Sequence, residues 1–134
     1  DFGVPPWLFA APRWQQRLFL AALFGAELSA PATYDAHGAN FYTPVLSLNK
    51  REGFVESGQA FLEDVARLLE GFGVEVLTIS RRTEQTNPDG SRSVRLRLVI
   101  SSRPENLIRL WGRVGFEYNH RRRRESLVAV QYLK

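Results

Sequence analysis

The sequence predicts an α+β fold in which one antiparallel sheet is covered on one face by helices. Three observations carry that reading. Residues 57–72 repeat apolar side chains at three and four (Phe61, Leu62, Val65, Leu68, Leu69, Phe72), the period of a helix lying on a sheet. Residues 93–101 alternate, with Val94, Leu96, Leu98 and Ile100 on one side and Arg95, Arg97 and Val99 on the other. Between these segments, Asn87-Pro88-Asp89-Gly90 is a strong turn signal that joins two strands into a hairpin.

The other elements follow in order. Residues 1–11 read as an extended arm or linker, because Pro5-Pro6 holds the backbone out of helix. A domain over residues 12–134 follows it. Its first helix runs over residues 12–27, with proline tolerated in the first turn. That helix is apolar nearly all round, which implies contacts on two sides. Thr33-Tyr34 starts a short strand, and His37-Gly38-Ala39-Asn40 reads as a turn. Residues 41–48 form a second strand, with Pro44 marking a bulge or an edge. Ser57 is the candidate cap of the amphipathic helix, and Gly71 or Gly73 its stop. Residues 74–84 make the outward strand of the hairpin, with Val76, Thr78, Ser80 and Arg82 expected on one face. A helix over residues 104–114 ends at Gly115, and a last helix covers residues 125–134.

Composition bounds the function. The 134 residues suit one domain, and there is no cysteine for a disulfide framework or a thiolate metal site. The longest apolar run, near residues 19–26, is too short to span a membrane, and no signal peptide is evident. A cytoplasmic protein is the default expectation. The start at Asp1 and the abrupt end at Lys134 hint at a piece of a longer chain. Net charge is +4, and the basic excess lies in the second half. Clustered arginine is the electrostatic footprint of a phosphate-binding surface. The candidates are Lys50, Arg51, Arg81, Arg82, Arg92, Arg95, Arg97, Arg121, Arg122 and Arg123. No Walker-type loop and no hydrolase nucleophile elbow is present.

The stretch Phe19-Leu20-Ala21-Ala22-Leu23-Phe24-Gly25-Ala26-Glu27-Leu28 has small residues at helical spacing and a carboxylate at its end. Ala22, Gly25 and Ala26 would let a second helix approach closely. This stretch resembles the signature helix of the LAGLIDADG (DOD-type) homing endonucleases, with Glu27 at the acidic position. Leu28 stands where that motif usually ends in glycine. Together with Val4-Pro5-Pro6-Trp7-Leu8, the stretch is similar to the intein-associated branch, in particular inteins of tRNA-splicing RNA ligases. The resemblance implies the half-domain layout α-β-β-α-β-β-α, with a curved four-stranded antiparallel sheet.

The resemblance also implies an activity: metal-dependent hydrolysis of double-stranded DNA at a specific site. Glu27 would hold Mg²⁺ between two copies of the signature helix, and Lys50 or Arg97 would stabilise charge or orient water. A single signature helix supplies one carboxylate. The reading therefore requires a homodimer, a second repeat of a longer chain, or a chain that has lost catalysis. A nucleic-acid-binding module using the same basic sheet is the chief rival, and an RNA-processing accessory domain is a third class. Neither an initial Cys or Ser nor a terminal His-Asn pair is present, so splicing by this chain alone is not expected.

Overall fold

A computed structural model describes residues 3–33 and 41–134, apart from the side chains of residues 83–85. After a 3₁₀ turn at Pro6–Ala10 the elements are α1 (Arg13–Glu27), β1 (Val45–Arg51), α2 (Val55–Gly71), β2 (Val76–Thr86), β3 (Arg92–Ile100), α3 (Pro104–Arg109) and α4 (His120–Leu133). The sheet among the described residues has three antiparallel strands in the order β1-β3-β2, with β1 and β2 as open edges. This corrects the expected four-stranded α-β-β-α-β-β-α layout. Among the described residues the segment read as a first strand contributes a single bridge, Thr33 to Phe41; Tyr34 and the turn at 37–40 lie outside them. Beside β1 the chain makes one more bridge, Leu28 to Leu46. Pro31 and Pro44 lack the N–H a continuous ladder needs, so pairing there is interrupted.

The helix-covered face of the sheet carries Leu46, Leu96, Leu98 and Ile100, all fully buried. They meet Phe61, Leu62, Val65 and Leu69 of α2 and Leu20 and Phe24 of α1 in one core. β3 alternates as its sequence reads, with Leu96, Leu98 and Ile100 inward and Arg95, Arg97 and Val99 on the open face. β2 does not keep a single parity. Val76 pairs with Ile100 and Thr78 with Val99, so Leu77 is an extra residue and a bulge. Val76 therefore shares a side with Ile79, not with Thr78 as the alternation predicts.

The arm packs onto the domain. Val4 and Leu8 join the core, and the buried Gln16 amide donates to the carbonyls of Leu8 (3.0 Å) and Phe9 (3.2 Å). α2 starts at Val55, two residues before Ser57, and its stop is Gly73 at φ +76°. The expected helix over residues 104–114 is α-helical only to Arg109 and continues as a π turn, Leu110–Val114. Gly115 closes it at φ 73°, ψ −154°, a region essentially restricted to glycine.

α4 starts five residues earlier than its sequence reads. The Asn119 side chain accepts from the Arg122 N–H, which makes it the N-cap. The arginine run therefore occupies the first turn, against the preference of the helix dipole for negative charge there. The cap and the anchoring of Ser126, Ala129 and Val130 in the interior outweigh that penalty.

At the hairpin turn, Asp89 accepts from the Ser91 N–H (3.0 Å) and hydroxyl (2.6 Å), and Gly90 takes φ +87°. The Ser91 hydroxyl and amide hold the Asp89 carboxyl below its ordinary value of 3.8. A lowered folded-state pKa stabilises the folded state above the unfolded value, and that contribution disappears as pH falls through the folded value. An NMR titration is expected to give Asp89 a midpoint below 3.8 in the wild type. S91A should return it toward 3.8; an unmoved midpoint would refute the assignment.

Candidate functional site

The end of α1 is laced to the open edge of β1. The Ser29 N–H donates to the Val45 carbonyl (3.2 Å), and the Val45 N–H donates to Ser29 Oγ (3.0 Å). These bonds, with the Leu28–Leu46 bridge, bring Glu27 to the rim of the uncovered face of the sheet. That face is built in cross-strand rows. Ser47, Arg97 and Ser80 are neighbours across the three strands, and so are Asn49, Arg95 and Arg82. None of these six is buried.

From the other side α4 contributes Arg122. Its guanidinium donates to the carbonyls of Gly25 (3.0 Å) and Phe24 (3.3 Å) in the last turn of α1, beside the Leu28 N–H that also donates to Phe24 and the Asn119 amide that also donates to Gly25. The result is a cleft of about 310 Å³ lined by Glu27, Ser29, Ser47, Arg82, Arg95, Arg97 and Arg122, together with Leu28 and Val45. Among the described residues, four guanidiniums and one carboxylate line it. Glu27, Arg82 and Arg97 have no side-chain partner among the described residues, whereas Arg95 is held near Asn49 (3.5 Å). A larger groove, about 670 Å³, lies between Phe41, Tyr132 and residues 31–33, and the charged groups among its described residues are Arg124 and Glu125, one of each sign.

The structure thus gathers Glu27, Arg82, Arg95, Arg97 and Arg122 and disperses the other candidates. Lys50 pairs with Val94 on the helix side, and its stem lies over Gly58 of α2. It is therefore on the opposite face from Arg97. Arg81, one residue from Arg82, also turns to α2. It makes a bidentate pair with Glu56 (2.9 and 3.2 Å), which holds the Glu56 carboxyl below its ordinary range. Arg51 sits near Asp89 (3.5 Å), and Arg92 is exposed opposite Thr86 by the hairpin turn. Arg121 pairs with Glu125 (2.9 Å), and Arg123 lies 3.9 Å from Glu117. Consecutive residues on a helix point about 100° apart, so a run of arginines does not make one patch.

Of the small residues on α1, Gly25 faces inward. A Cβ there would stand 2.0 Å from the Glu117 carbonyl oxygen of the same chain. Ala22 is half-buried and Ala26 exposed, in line with the exposed Trp14 and Leu18. The role of Arg122 at the end of α1 and the places of Ser29 and Ser47 in the cleft are not foreseen by the sequence reading. The parity of β1 shared by Ser47 and Asn49 is the signal that points to Ser47.

The cleft does not suit Mg²⁺ held by this chain alone. That ion demands several oxygen ligands. Among the described residues Glu27 is the one carboxylate lining the cleft, and the surrounding guanidiniums repel a cation. No group of three His, Asp or Glu side chains with metal-binding geometry occurs among the described residues. The donor set is that of an anion site, and arginine forks match phosphate oxygens. No helix among the described residues is long and apolar enough to cross a membrane.

No known family profile matches the chain, and no solved structure matches it. The chain is 35% identical over 136 residues to the tRNA-splicing ligase RtcB of Methanopyrus kandleri, a match covering 99% of the chain and 12% of that protein. It is 32% identical over 133 residues to the tRNA-splicing ligase RtcB of Pyrococcus furiosus, covering 99% of the chain and 13% of the ligase. It is 28% identical over 134 residues to the DNA-directed RNA polymerase subunit Rpo1N of Methanocaldococcus jannaschii, covering 98% of the chain and 9% of that subunit. The chain thus spans about an eighth of these ligases. These relatives overturn the expected assignment to the LAGLIDADG homing endonucleases. With it go the intein-type homing function, site-specific cleavage of double-stranded DNA, and duplex DNA as the expected partner.

Proposed function

We propose that the chain is a module that grips the sugar–phosphate backbone of RNA within a larger RNA-processing protein of the tRNA-splicing-ligase kind. The observation that carries this reading is the convergence of Arg82, Arg95, Arg97 and Arg122 on one cleft with a single carboxylate among the described residues. Two of those arginines, Arg82 and Arg97, have no side-chain partner among the described residues. Such a cleft gains by taking up a phosphate, because binding releases the counterions condensed on the strand.

The relatives support RNA as the strand. The same segment lies within ligases named for tRNA splicing and within an RNA polymerase subunit, and handling RNA is common to those names. A segment shared by proteins with different chemistries contributes what they have in common. Ligation itself is accordingly assigned to the rest of the larger protein. The open face of the sheet favours unpaired RNA, since the deep groove of an A-form duplex is too narrow for protein elements. On a flat face, arginines can follow the backbone of a single strand.

Fluorescence anisotropy with a labelled single-stranded RNA tests the reading. The double variant R82Q/R97Q should bind at least tenfold more weakly at low salt. Its log–log salt slope should be shallower by about 1.4, the expectation for two lost phosphate contacts on a single strand. Unchanged affinity in the double variant, or displacement of the RNA by an equal concentration of duplex DNA of the same length, would overturn the proposal.

A further inference from the structure

The arginines account for a phosphate, but they leave Glu27 unexplained. An exposed carboxylate set among four guanidiniums would be expected to pair with one of them. Yet no ion pair to Glu27 occurs among the described residues, and Arg122 is turned instead to the carbonyls of Phe24 and Gly25. Glu27 is fixed in place nonetheless. It is the last residue of α1, and the next two residues are bonded to β1 through the Leu28–Leu46 bridge and the Ser29–Val45 pair.

An ionised carboxylate only accepts hydrogen bonds. Beside a bound phosphodiester it repels the phosphate oxygens unless the ligand also presents a donor. In a polynucleotide backbone the donor next to the phosphate is the ribose 2′-hydroxyl, which DNA lacks. The cleft thus pairs donors for the phosphate with one acceptor at its rim for the sugar. The neighbouring Ser29 hydroxyl oxygen already accepts from the Val45 N–H, which leaves Glu27 the stronger acceptor.

We propose that Glu27 is a specificity-determining residue that accepts a hydrogen bond from a 2′-hydroxyl and so selects RNA over DNA. This rests on the backbone-binding reading above. In the absence of a ribose donor, the same carboxylate penalises a DNA strand by repulsion.

The test measures binding of wild type and E27A to three single strands of one sequence: RNA, DNA and 2′-O-methyl RNA, in EDTA at fixed ionic strength. Glu27 is exposed, so E27A should keep the wild-type circular dichroism spectrum. Wild type should prefer RNA to DNA by about tenfold, the scale of one hydrogen bond to a charged group. The 2′-O-methyl strand, which keeps the oxygen but lacks the donor, should bind like DNA. In E27A the three affinities should converge, with DNA bound more tightly than by wild type. If E27A strengthens all three strands alike, Glu27 only repels phosphate and the proposal is wrong. The proposal is equally wrong if an RNA preference appears only when Mg²⁺ replaces EDTA and vanishes in E27A, since Glu27 would then be a metal ligand. Failure of wild type to bind any strand would remove the backbone-binding reading itself, an outcome distinct from both.

Discussion

Replacing Gly25 by valine is expected to destabilise the chain by about 3 kcal/mol, at the upper end of what overpacking usually costs. For a chain of this size the melting temperature should fall by about 10 °C or more. A Cβ at position 25 would stand 2.0 Å from the Glu117 carbonyl oxygen and 3.2 Å from its carbonyl carbon. The obstacle is backbone, so no rotamer change relieves it. Relief requires the segment after Gly115 to move off α1. That movement breaks the bond from the Glu117 N–H to the Ala21 carbonyl (2.9 Å) and the Arg17–Glu117 ion pair (2.8 Å). It also pulls away the Asn119 amide, which donates to the Gly25 carbonyl (3.0 Å). Thermal denaturation followed by circular dichroism measures the effect. A G25V variant melting within two or three degrees of wild type would show that the close approach is not a constraint.

Asn106→Ala is expected to cost a similar amount by a different route. The Asn106 side chain is fully buried. Its oxygen accepts from the Glu75 N–H (2.7 Å), and its amide donates to the carbonyls of Ser101 (2.8 Å) and Glu75 (3.1 Å). One side chain thus ties the start of α3 to the entry of β2 and the exit of β3. The Glu75 carbonyl also accepts from the Ser101 N–H (3.1 Å) and keeps a partner in the variant. The Glu75 N–H and the Ser101 carbonyl lose theirs. A buried orphan such as the Ser101 carbonyl costs about 1–3 kcal/mol and the half-buried Glu75 N–H adds less, so the loss should be about 2–4 kcal/mol. The specific signature is local. Hydrogen exchange at the Glu75 amide should accelerate more than at the central residues of β3. Uniform acceleration through the sheet would instead mean a generally loosened core.

The two effects bear differently on how much the sequence reveals. Asn106 is visible only as a polar residue in an apolar helix, and its three partners are irregular backbone that no periodicity marks. Gly25 stands out at small-residue spacing, and the reading of that spacing as a surface for a second helix follows naturally. In the structure the close neighbour is Glu117 of the same chain. The same limit applies to the short motif around it. Ala, Gly and Leu at helical spacing with a terminal Glu describe any helix that packs closely and ends at a surface, so the motif alone carries no family.

By itself the sequence determined the elements whose signals are local. The spacing of Phe61 to Leu69 required an amphipathic helix, the alternation from Val94 to Ile100 required a strand with a basic outer side, and Asn87 to Gly90 required the turn between β2 and β3. Each depends on neighbours a few residues away, through helical or strand period and turn chemistry. Only the tertiary structure decided which basic residues act together. A bulge at Leu77 reset the parity of β2 against β3. The partner of Arg81 is Glu56 on α2, while Arg82 faces the cleft. The Asn119 cap started α4 early enough to wrap the arginine run around a helix and leave Arg122 on the end of α1. These outcomes depend on contacts between residues far apart in the chain. Composition and spacing count charges, but convergence is set by where the backbone carries them.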